Sequence, residues 1–454
     1  MRTTVLLGAD EGFELAKATL CARGFHLYTQ VWNDQPPLLT FLVTQILERL
    51  TTSALGPRLL TGFFSALLLS SLFLLALRLN GLLAAVLATA FLIASPGFLI
   101  LGSSCMLEIP ALATAVAALA VLAWANPSSL PWAEALAGTL FGISLETKLI
   151  TAVLLPLVAV LIWSSPRNLL KSGAIIVAAM LVSIMVVDWT ASGGAYLAHW
   201  RTVWASHFAP VRSSGHGSPA DHPFDWTALV KNWDTVLPAL AGVLFCVRLR
   251  PISSLGVLPP LWLGLVLAVF AIHRPWWHYY IVHSSIPLCW CAAIGLASLL
   301  AAAWSRGRRF AAGALLVYLT AAAAWMGARL YFQIGEARRS PQTFSSLFLN
   351  VIQRYKPRVQ SIYCEEPVYS FHAGIPMPPD LAVVMLKRFW SGEISDERIA
   401  ADLQQNPPGL ILLRNDSAPR SFRSLINSSY RLIYEDGAHL LYVRQDLSMA
   451  PPSG

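Results

Sequence analysis

Residues 59–77 have the sequence LLTGFFSALLLSSLFLLAL, which contains no charged residue and lies between Arg58 and Arg78. A mainly apolar run of about 20 residues is long enough to cross the hydrocarbon core of a bilayer as a helix. Comparable runs recur along the first three quarters of the chain. They predict an all-α polytopic membrane domain with about ten spans, at residues 59–77, 82–101, 109–125, 133–148, 149–164, 173–190, 236–247, 254–272, 281–303 and 311–332.

The composition also indicates a membrane protein. Of the 454 residues, 56% are hydrophobic and 12% are charged, whereas soluble globular proteins are ~45–50% apolar and ~25% charged. Residues 1–332 carry 19 basic and 12 acidic residues, and the much shorter segment 333–454 carries 13 and 12. This change in charge density predicts two domains, a transmembrane domain over 1–332 and a small soluble α/β domain over 333–454.

Basic residues mark one side of the predicted spans. They occur in alternate loops, and cytoplasmic loops are the ones that carry an excess of Lys and Arg. The residues concerned are Arg78, Arg167, Lys171, Arg248, Arg250 and the run Ser305-Arg-Gly-Arg-Arg309. These loops are therefore predicted to be cytoplasmic, and the soluble domain is predicted to be extracytoplasmic.

The acidic residues of the membrane domain gather on the opposite side. Only Glu134 belongs to the cytoplasmic set, and the others are Asp10, Glu11, Glu14, Asp34, Glu48, Glu108, Glu146, Asp188, Asp221, Asp225 and Asp234. Acids in or near membrane spans are costly and mark functional sites. This separation predicts a reaction outside the cytoplasm. A structural alternative is that the outward loops are longer and hold more residues of every kind.

The N-terminus precedes an outward loop but is too short to cross a bilayer. Val5-Leu-Leu-Gly8 has the composition of the end of a helix. We therefore expect an additional N-terminal span that this sequence lacks, or else a chain that inserts poorly.

The soluble domain shows the pattern of a small α/β fold. Buried strands are predicted at 359–363 and 410–413, and helices at 379–389 and 395–405. A terminal hairpin is predicted over 430–444, because Glu435-Asp-Gly437 interrupts two apolar runs.

Several function classes are excluded by the sequence. The net charge of +8 comes from basic clusters between apolar runs, which fits membrane orientation and not nucleic-acid binding. The six cysteines form no C-x-x-C pair, so neither a disulfide framework nor a zinc site is indicated. No Asp-x-Asp triplet or nucleotide-binding glycine motif occurs. A donor for group transfer is thus expected to be a lipid and not a nucleotide.

The first outward loop carries the strongest motif. It begins with Asp10-Glu11-Gly12, continues as an amphipathic helix to Tyr28, and then has Asn33-Asp34-Gln35-Pro36-Pro37-Leu38. A carboxylate at the mouth of a membrane cavity can act as a general base toward a substrate that arrives from the lipid. The structural alternative is an acidic pair that the helix dipole favours at a helix N-terminus.

This motif and two later ones occur in an order that resembles the GT-C type of membrane glycosyltransferase. The later motifs are Met106-Leu-Glu-Ile-Pro110 and Glu146-Thr-Lys148. The most similar groups are the protein O-mannosyltransferases, the aminoarabinose transferases and the rhizobial core-galacturonosyl transferases. The resemblance covers roughly residues 8 to 300, and it implies a polyprenyl-phosphate-linked sugar as donor.

The resemblance also implies roles for the acids of the first loop. Asp10 matches the family's general base, which deprotonates the acceptor, and Glu11 matches its acidic neighbour. Asp34 matches an acid associated with metal or donor-phosphate binding. Many relatives have lysine at the next position, where this chain has Gln35. This chain therefore lacks the cation that those relatives have at this position.

Three further residues match family positions. Glu108 matches an acid at the head of a later span, Lys148 matches a lysine that approaches the donor phosphate, and His207 matches a histidine ahead of the second long loop. A lysine near the end of a span is costly unless it meets an anion. Glu146 is the alternative partner of Lys148, in which case the pair is only structural.

Contacts to the donor phosphate are predicted for Tyr28, Lys148 and Arg274. Arg274 lies in His273-Arg-Pro-Trp-Trp-His-Tyr-Tyr280, at the outer entrance of a predicted span. Arginine binds phosphate oxygens through paired hydrogen bonds, and the aromatic residues could line a sugar or prenyl path. The alternative is an ordinary aromatic belt at the membrane interface.

A divalent metal ion is the one cofactor considered. Asp34 and His207 are the predicted ligands, because carboxylate and imidazole groups combine in mixed N and O sites. Further histidines on the outward side could contribute, namely His199, His216, His222, His273 and His278. Their spacing matches no tight metal motif, and interfacial histidines that only form hydrogen bonds are the alternative.

The sequence therefore predicts an inverting membrane glycosyltransferase of the cell envelope. It is expected to lie in a bacterial inner membrane, among membrane lipids, and to transfer a monosaccharide from a polyprenyl-phosphate donor to a protein, glycolipid or polysaccharide. The alternative function is a polytopic transporter or a flippase for lipid-linked sugars, although these usually carry an internal repeat and charges near the middle of spans.

Overall fold

The structure is a computed structural model that describes residues 8–125, 131–163, 169–208, 211, 215–249, 255–305, 309–343, 346–414 and 420–447. The chain divides into two compact units. Unit 1 comprises Met1–Arg58, Asp188–Ser218 and Arg338–Gly454, and unit 2 comprises Leu59–Val187 and Pro219–Ala337. Of the predicted helix remnant at 5–8, only Gly8 lies within the described residues, and the first helix begins there.

Unit 2 is built from helices, some of which continue past its limits. The α-helices are Leu55–Asn80, Leu82–Ile93, Phe98–Leu101, Glu108–Trp124, Pro131–Leu145, Leu155–Trp163, Leu169–Ala191, Thr227–Lys231, Trp233–Leu249, Leu258–Ile272, Ile281–Ser305 and Arg309–Thr343. Short 3-10 helices occur at Leu149–Leu154, Pro219–Asp221, Leu255–Val257 and His278–Tyr280.

Among the described residues, five helices are long and apolar enough to cross a membrane. They are Leu55–Asn80, Leu169–Ala191, Leu255–Ile272, His278–Ala303 and Ala312–Gly335. The helix Leu169–Ala191 exposes large apolar side chains, with Met185 63% and Trp189 74% exposed. A large exposed apolar surface indicates contact with lipid, so the chain is an integral membrane protein.

The prediction of about ten spans is not confirmed. A helix lies at each predicted position, but three of the apolar helices, Leu82–Ile93, Glu108–Trp124 and Leu149–Trp163, are shorter than a span requires. The predicted span 82–101 illustrates the cause. Its helix stops at Ile93 because Pro96 cannot donate a helical hydrogen bond and Gly97 takes a left-handed conformation with φ 76°.

Small residues allow two helices of unit 2 to lie very close together. Gly242 on Trp233–Leu249 packs against the backbone of Ile281–Ser305, and a Cβ atom at this position would lie 1.9 Å from the carbonyl oxygen of Cys291. A Cβ at Gly295 would lie 1.9 Å from the carbonyl oxygen of Pro238. Both positions therefore require glycine for steric reasons.

Unit 1 combines helices with a small sheet. Its α-helices are Gly8–Cys21, Leu38–Arg49, Tyr196–Phe208, Ser346–Tyr355, Pro367–Ala373, Leu386–Trp390, Asp396–Gln405 and Arg420–Ser429, and its 3-10 helices are Pro379–Leu381 and Gln445–Leu447. The strands are β1 (Ile362–Cys364), β2 (Leu410–Arg414), β3 (Tyr430–Glu435) and β4 (His439–Arg444), and their order in the sheet is β1-β2-β4-β3. The pair β1 and β2 is parallel, and the other pairs are antiparallel.

The predicted elements of the C-terminal segment agree well with this sheet. β2 and the β3–β4 hairpin lie where they were predicted, and Ser395 caps the helix Asp396–Gln405 by accepting a hydrogen bond from the amide of Arg398. β1 begins three residues later than predicted. The predicted helix 379–389 is instead a 3-10 turn and a short helix, separated by an irregular stretch.

The N-terminal segment belongs to the same hydrophobic core as this sheet. Phe13, Leu20 and Trp32 are buried in one cluster with the inward-facing residues of β1 and β2. Gly12 makes this packing possible, because a Cβ atom there would lie 2.7 Å from the backbone nitrogen of Val368. The first outward loop is therefore held by the C-terminal segment within unit 1.

Gly242→Ala is expected to destabilise unit 2, because the added methyl group collides with a backbone oxygen that cannot move without shifting a helix. We expect a loss of about 1–3 kcal/mol, typical of overpacked cores, measured as a lower thermal midpoint of the purified protein in detergent. Gly264→Ala is the matched control, since nothing lies within 4 Å of its Cβ position. Equal midpoints for the two variants would contradict the close helix contact.

Candidate active site

Asp10 and Glu11 lie in the first turn of the helix Gly8–Cys21, where the helix dipole favours acids. Asp10 is half-buried. Glu11 is 1% exposed and binds the Arg58 guanidinium through two hydrogen bonds, of 2.9 Å to Nε and 2.7 Å to Nη2. This paired geometry is strong and directional. It fixes Glu11 in place, and with it the start of the helix that carries Asp10.

The guanidinium of Arg58 also acts on the neighbouring His372. Burial, together with the positive charge of Arg58, holds the pKa of His372 below its usual range, and Glu11 opposes this shift. His372 therefore stays neutral beside the Glu11–Arg58 pair near neutral pH.

The loop that follows this helix is held by a buried hydrogen-bond network. Tyr28 has a φ of 68°, a sparsely populated region for a residue other than glycine. Its hydroxyl donates to the carbonyl oxygen of Gln35 at 2.8 Å. The Asn33 amide also donates to that carbonyl, at 2.7 Å, and its oxygen accepts from Lys17. These bonds fix the backbone around Asp34, and the predicted role of Tyr28 in phosphate binding stays a prediction.

Asp34 is buried against a lysine that the sequence did not single out. The Lys387 ammonium donates to Asp34 Oδ2 at 2.7 Å, and the Gln35 amide donates to the same oxygen at 2.8 Å. Burial alone would raise the pKa of Asp34, but the positive charge of Lys387 and the neighbouring His207 hold it well below its usual range. Asp34 is therefore ionised throughout the physiological range.

The predicted metal ligands Asp34 and His207 meet at this lysine. The Nδ1 of His207 lies 2.9 Å from the carbonyl oxygen of Val203, and its Nε2 lies 3.4 Å from the Lys387 ammonium nitrogen. The two groups thus share one ammonium, whose charge opposes a second cation. The part of the chain that the structure describes holds no group of three or more His, Cys, Asp or Glu arranged for a metal ion. The predicted metal site at Asp34 and His207 stays a prediction.

His199, a further histidine of the predicted outward set, lies beside Tyr28. His199 Nδ1 lies 2.7 Å from Asp188 Oδ1, and the imidazole stacks on the Tyr28 ring with centroids 4.6 Å apart. Burial lowers the pKa of His199 and outweighs the opposing effect of Asp188. This histidine thus has a packing role in unit 1.

In unit 2, Lys148 pairs with Glu108 and not with Glu146. Glu108 begins the helix Glu108–Trp124, and Lys148 lies in extended backbone between the helix Pro131–Leu145 and the 3-10 helix Leu149–Leu154. Their side chains form a short ion pair and are 1% and 7% exposed. The pair therefore joins the start of one helix to the short extended stretch between two others.

Two tyrosine rings complete the surroundings of the Lys148 ammonium. Its Nζ lies 5.1 Å from the ring centroid of Tyr279 and 4.9 Å from that of Tyr280, which are cation–π distances. Arg274, six residues before Tyr280, has an exposed side chain. The structure thus brings the predicted residues Glu108 and Lys148 together with the tyrosines of the predicted motif. The predicted role of Arg274 stays a prediction.

Sequence reasoning missed two residues of these clusters. Lys387 lies near Asp34 only because the C-terminal segment folds onto the first loop, although Gln35 in place of a family lysine was a signal that a cation was needed. His283 lies in the helix Ile281–Ser305, beside Tyr280, with ring centroids 6.1 Å apart. The sequence gives no signal for a polar role of His283, because it falls inside the predicted span 281–303.

No protein-family model matches the chain, and no curated protein sequence is similar to it. Solved structures are similar over its whole length. ArnT from Cupriavidus metallidurans in the apo state has a TM-score of 0.70 at 16% identity, and the match covers 99% of this chain and 96% of that one. The same protein bound to undecaprenyl phosphate has a TM-score of 0.68 at 15% identity, with the same coverage.

An archaeal protein gives a weaker match. The apo oligosaccharyltransferase from Archaeoglobus fulgidus has a TM-score of 0.55 at 12% identity, and the match covers 90% of this chain and 66% of that one. Both neighbours are GT-C glycosyltransferases. The chain therefore has the GT-C fold, and the resemblance that its motifs indicated is confirmed at the level of fold.

The Asp34–Lys387 pair is expected to make the stability of unit 1 depend on pH. Folding lowers the pKa of Asp34 below its value in the unfolded chain, 3.8. The ionised carboxylate therefore contributes its full stabilisation above that pH, and this stabilisation is lost as the pH falls toward the folded pKa. At pH 7, Lys387→Met should cost about 3–5 kcal/mol, since it leaves a buried unpaired charge. Below about pH 4 the stabilities of Lys387→Met and wild type should become more similar. Thermal unfolding in detergent measures both.

The exposed pair Arg444–Asp446 provides the control, because Asp446 is 62% exposed. Asp446→Asn should change stability little at either pH. The double variant Asp34→Asn/Lys387→Met should recover much of the loss. A Lys387→Met variant as stable as wild type at pH 7 would contradict the buried ion pair.

Proposed function

We propose that the protein is a membrane glycosyltransferase that moves a monosaccharide from a polyprenyl-phosphate donor to an extracytoplasmic acceptor. The observation that carries this proposal is the buried ammonium of Lys148 in a chain with the GT-C fold. Among the described residues, Glu108 is its hydrogen-bond acceptor. An ammonium group has three N–H donors, so donors are left for the oxygens of an anion.

A lipid-linked phosphate is an anion that can reach such a place from the bilayer. Placing a cation in an apolar interior is costly unless it meets a negative charge, and Glu108 meets this need when no donor is bound. The similar ArnT structure contains undecaprenyl phosphate. A similar archaeal structure, AglB with a TM-score of 0.53, contains an inhibitory peptide and a dolichol-phosphate. These two similar structures support a polyprenyl-phosphate carrier as the ligand here.

The reaction needs no nucleotide, because the activated bond arrives in the lipid. A hydroxyl or amine of the acceptor attacks the anomeric carbon, the bond from that carbon to the phosphate oxygen breaks, and the phosphate leaves with the electron pair. Attack from the face opposite the phosphate inverts the anomeric carbon. Lys148 offsets the negative charge that develops on the phosphate oxygens.

Asp10 is the proposed general base that takes the proton from the acceptor. Its neighbour Glu11 is bound to Arg58 and cannot accept a proton without losing that pair, so Glu11 is proposed as a positioning residue. Tyr28, Asp34 and Arg274 keep their predicted roles near the donor as proposals. Lys387 supplies a cation beside Asp34, in place of the lysine that many relatives have where this chain has Gln35.

The proposed arrangement in the cell follows from the charge pattern. Basic loops place one side in the cytoplasm, so the segment 333–454 and the acids of the first loop lie outside a bacterial inner membrane. The domain 1–332 carries the transfer reaction, and the soluble domain 333–454 holds the first loop. The acceptor is a protein, a glycolipid or a polysaccharide.

Asp10→Asn is expected to lower the transfer rate by about 10²- to 10⁴-fold, the usual contribution of a general base. Donor affinity should change little. The measurement uses purified protein in detergent or liposomes with radiolabelled polyprenyl-phosphate sugars and an acceptor extract. Asp446→Asn is the control, because this acid is exposed at the far end of the chain.

Unchanged transfer by Asp10→Asn would remove Asp10 as the base. A second outcome would contradict the proposed function itself. In that outcome, the wild-type protein catalyses no transfer but moves lipid-linked sugar, or a solute, across the liposome membrane. That result would favour the flippase or transporter alternative over the glycosyltransferase.

The role of Lys148 is tested with the double variant Lys148→Met/Glu108→Gln. Removing both charges avoids the penalty of a buried unpaired acid, so the protein should fold. We expect the KM for the donor to rise about 10-fold or more, because a charged contact to phosphate is lost, with kcat less affected. Lys171→Met, on the exposed face of Leu169–Ala191, should behave as wild type. An unchanged KM would leave the pair with only a structural role.

A further inference from the structure

His283 is a histidine buried inside unit 2. It lies in the first turn of the helix Ile281–Ser305 and is 1% exposed. Neither Nδ1 nor Nε2 has a partner among the residues that the structure describes. The nearby hydroxyls of Ser284 and Ser285 both donate to the carbonyl oxygen of Ile281 instead. This imidazole is thus polar, enclosed and unsatisfied.

Such an arrangement is costly for a folded protein. A buried donor or acceptor without a partner costs about 1–3 kcal/mol, and most buried polar side-chain atoms in proteins do have one. An apolar side chain of similar volume, such as leucine, would avoid the cost in this position. A histidine here is therefore explained best by a partner that arrives from outside the chain.

The surroundings of His283 indicate what that partner is. The Tyr280 ring lies 4.9 Å from the Lys148 ammonium and 6.1 Å from the His283 ring. The Phe270 ring meets the imidazole edge-on at 5.9 Å. His283 and Lys148 thus share one tyrosine neighbour. A ligand at this place is expected to carry negative charge for the ammonium and an oxygen that can accept from the imidazole.

The acid of the same cluster adds a second requirement. Glu108 uses Oε1 for Lys148, and its Oε2 has no hydrogen-bond partner within the described part of the chain. A carboxylate oxygen accepts hydrogen bonds, and a sugar hydroxyl donates them. A ligand that presents phosphate oxygens together with a sugar hydroxyl would therefore satisfy both the His283 ring and Glu108 Oε2, which have no partner among the described residues.

We propose that His283 binds the donor phosphate, with a ring N–H donating to a phosphate oxygen while Lys148 supplies the charge. This inference rests on the proposed function and adds a residue that the sequence motifs did not indicate. In either charge state the imidazole offers at least one N–H donor. No proton is transferred to the leaving group. The hydrogen bond stabilises the charge that the phosphate gains when the bond to the sugar breaks.

The test measures binding of undecaprenyl phosphate to the purified full-length chain in detergent micelles, for wild type, His283→Leu and His283→Gln. His283→Leu removes the donor at similar volume and should weaken binding about 10-fold or more, as for the loss of a hydrogen bond to a charged group. His283→Gln retains an N–H donor and should stay within about 3-fold of wild type, which is a difference of less than 1 kcal/mol. His26→Leu is the control, because that histidine is exposed in unit 1.

Thermal stability without ligand separates a binding role from a structural one. Because leucine removes an unsatisfied buried group, ligand-free His283→Leu should be at least as stable as wild type while it binds the lipid more weakly. A structural histidine would give the opposite, a variant that unfolds earlier. If His283→Leu is not recovered as folded protein, that result counts against the inference, and His283→Ala provides the second binding measurement.

The outcomes distinguish this inference from the proposed function. Wild-type protein that binds no undecaprenyl phosphate would overturn the proposed function. Wild-type binding with equal affinity in His283→Leu would leave the proposed function in place and overturn the role of His283.

Discussion

The Lys148–Glu108 ion pair is the interaction on which the account of unit 2 depends. Both side chains are nearly inaccessible, in a unit made almost entirely of apolar helices. Two charges can be kept there only if they are paired and further stabilised, because desolvation otherwise exceeds the Coulombic gain. The tyrosine rings provide part of that stabilisation. Lys148 lies in extended backbone directly after the helix Pro131–Leu145, so its side chain reaches Glu108 from outside the helix.

Unit 1 also contains buried acids, and they too are paired with cations. Asp34 and Glu11 are both buried, and each binds a cation. Lys387 of the C-terminal segment binds Asp34, and Arg58 in the first turn of the helix Leu55–Asn80 binds Glu11. Asp10, in contrast to these two acids, is half-buried. The fold of the C-terminal segment is therefore part of the candidate site, since Lys387 sets the charge at Asp34 and the packing at Gly12 holds the helix that carries Asp10.

Much of this organisation could be predicted from the sequence. Apolar runs and charge density located the helices, and alternation with turn residues located β2 and the terminal hairpin. The motifs identified Glu108 and Lys148, which the structure pairs. Contacts between residues far apart in the sequence could not be predicted from such local patterns. Lys387 is 353 residues from Asp34, and the break at Pro96 and Gly97 shortens a helix whose hydropathy alone predicts a span. His283 could not be predicted either, because hydropathy indicates a span there but carries no information on the hydrogen-bond partners of a side chain.

The central claim is that the buried ammonium of Lys148 receives the phosphate of a lipid carrier. A structure of the full-length chain with undecaprenyl phosphate, solved in lipid nanodiscs, tests it most directly. The account predicts phosphate density within hydrogen-bond distance of Lys148 Nζ, with the prenyl chain leading toward the lipid. The claim would be contradicted by phosphate density elsewhere on the chain, with the Lys148–Glu108 pair and its contacts to Tyr279 and Tyr280 unchanged.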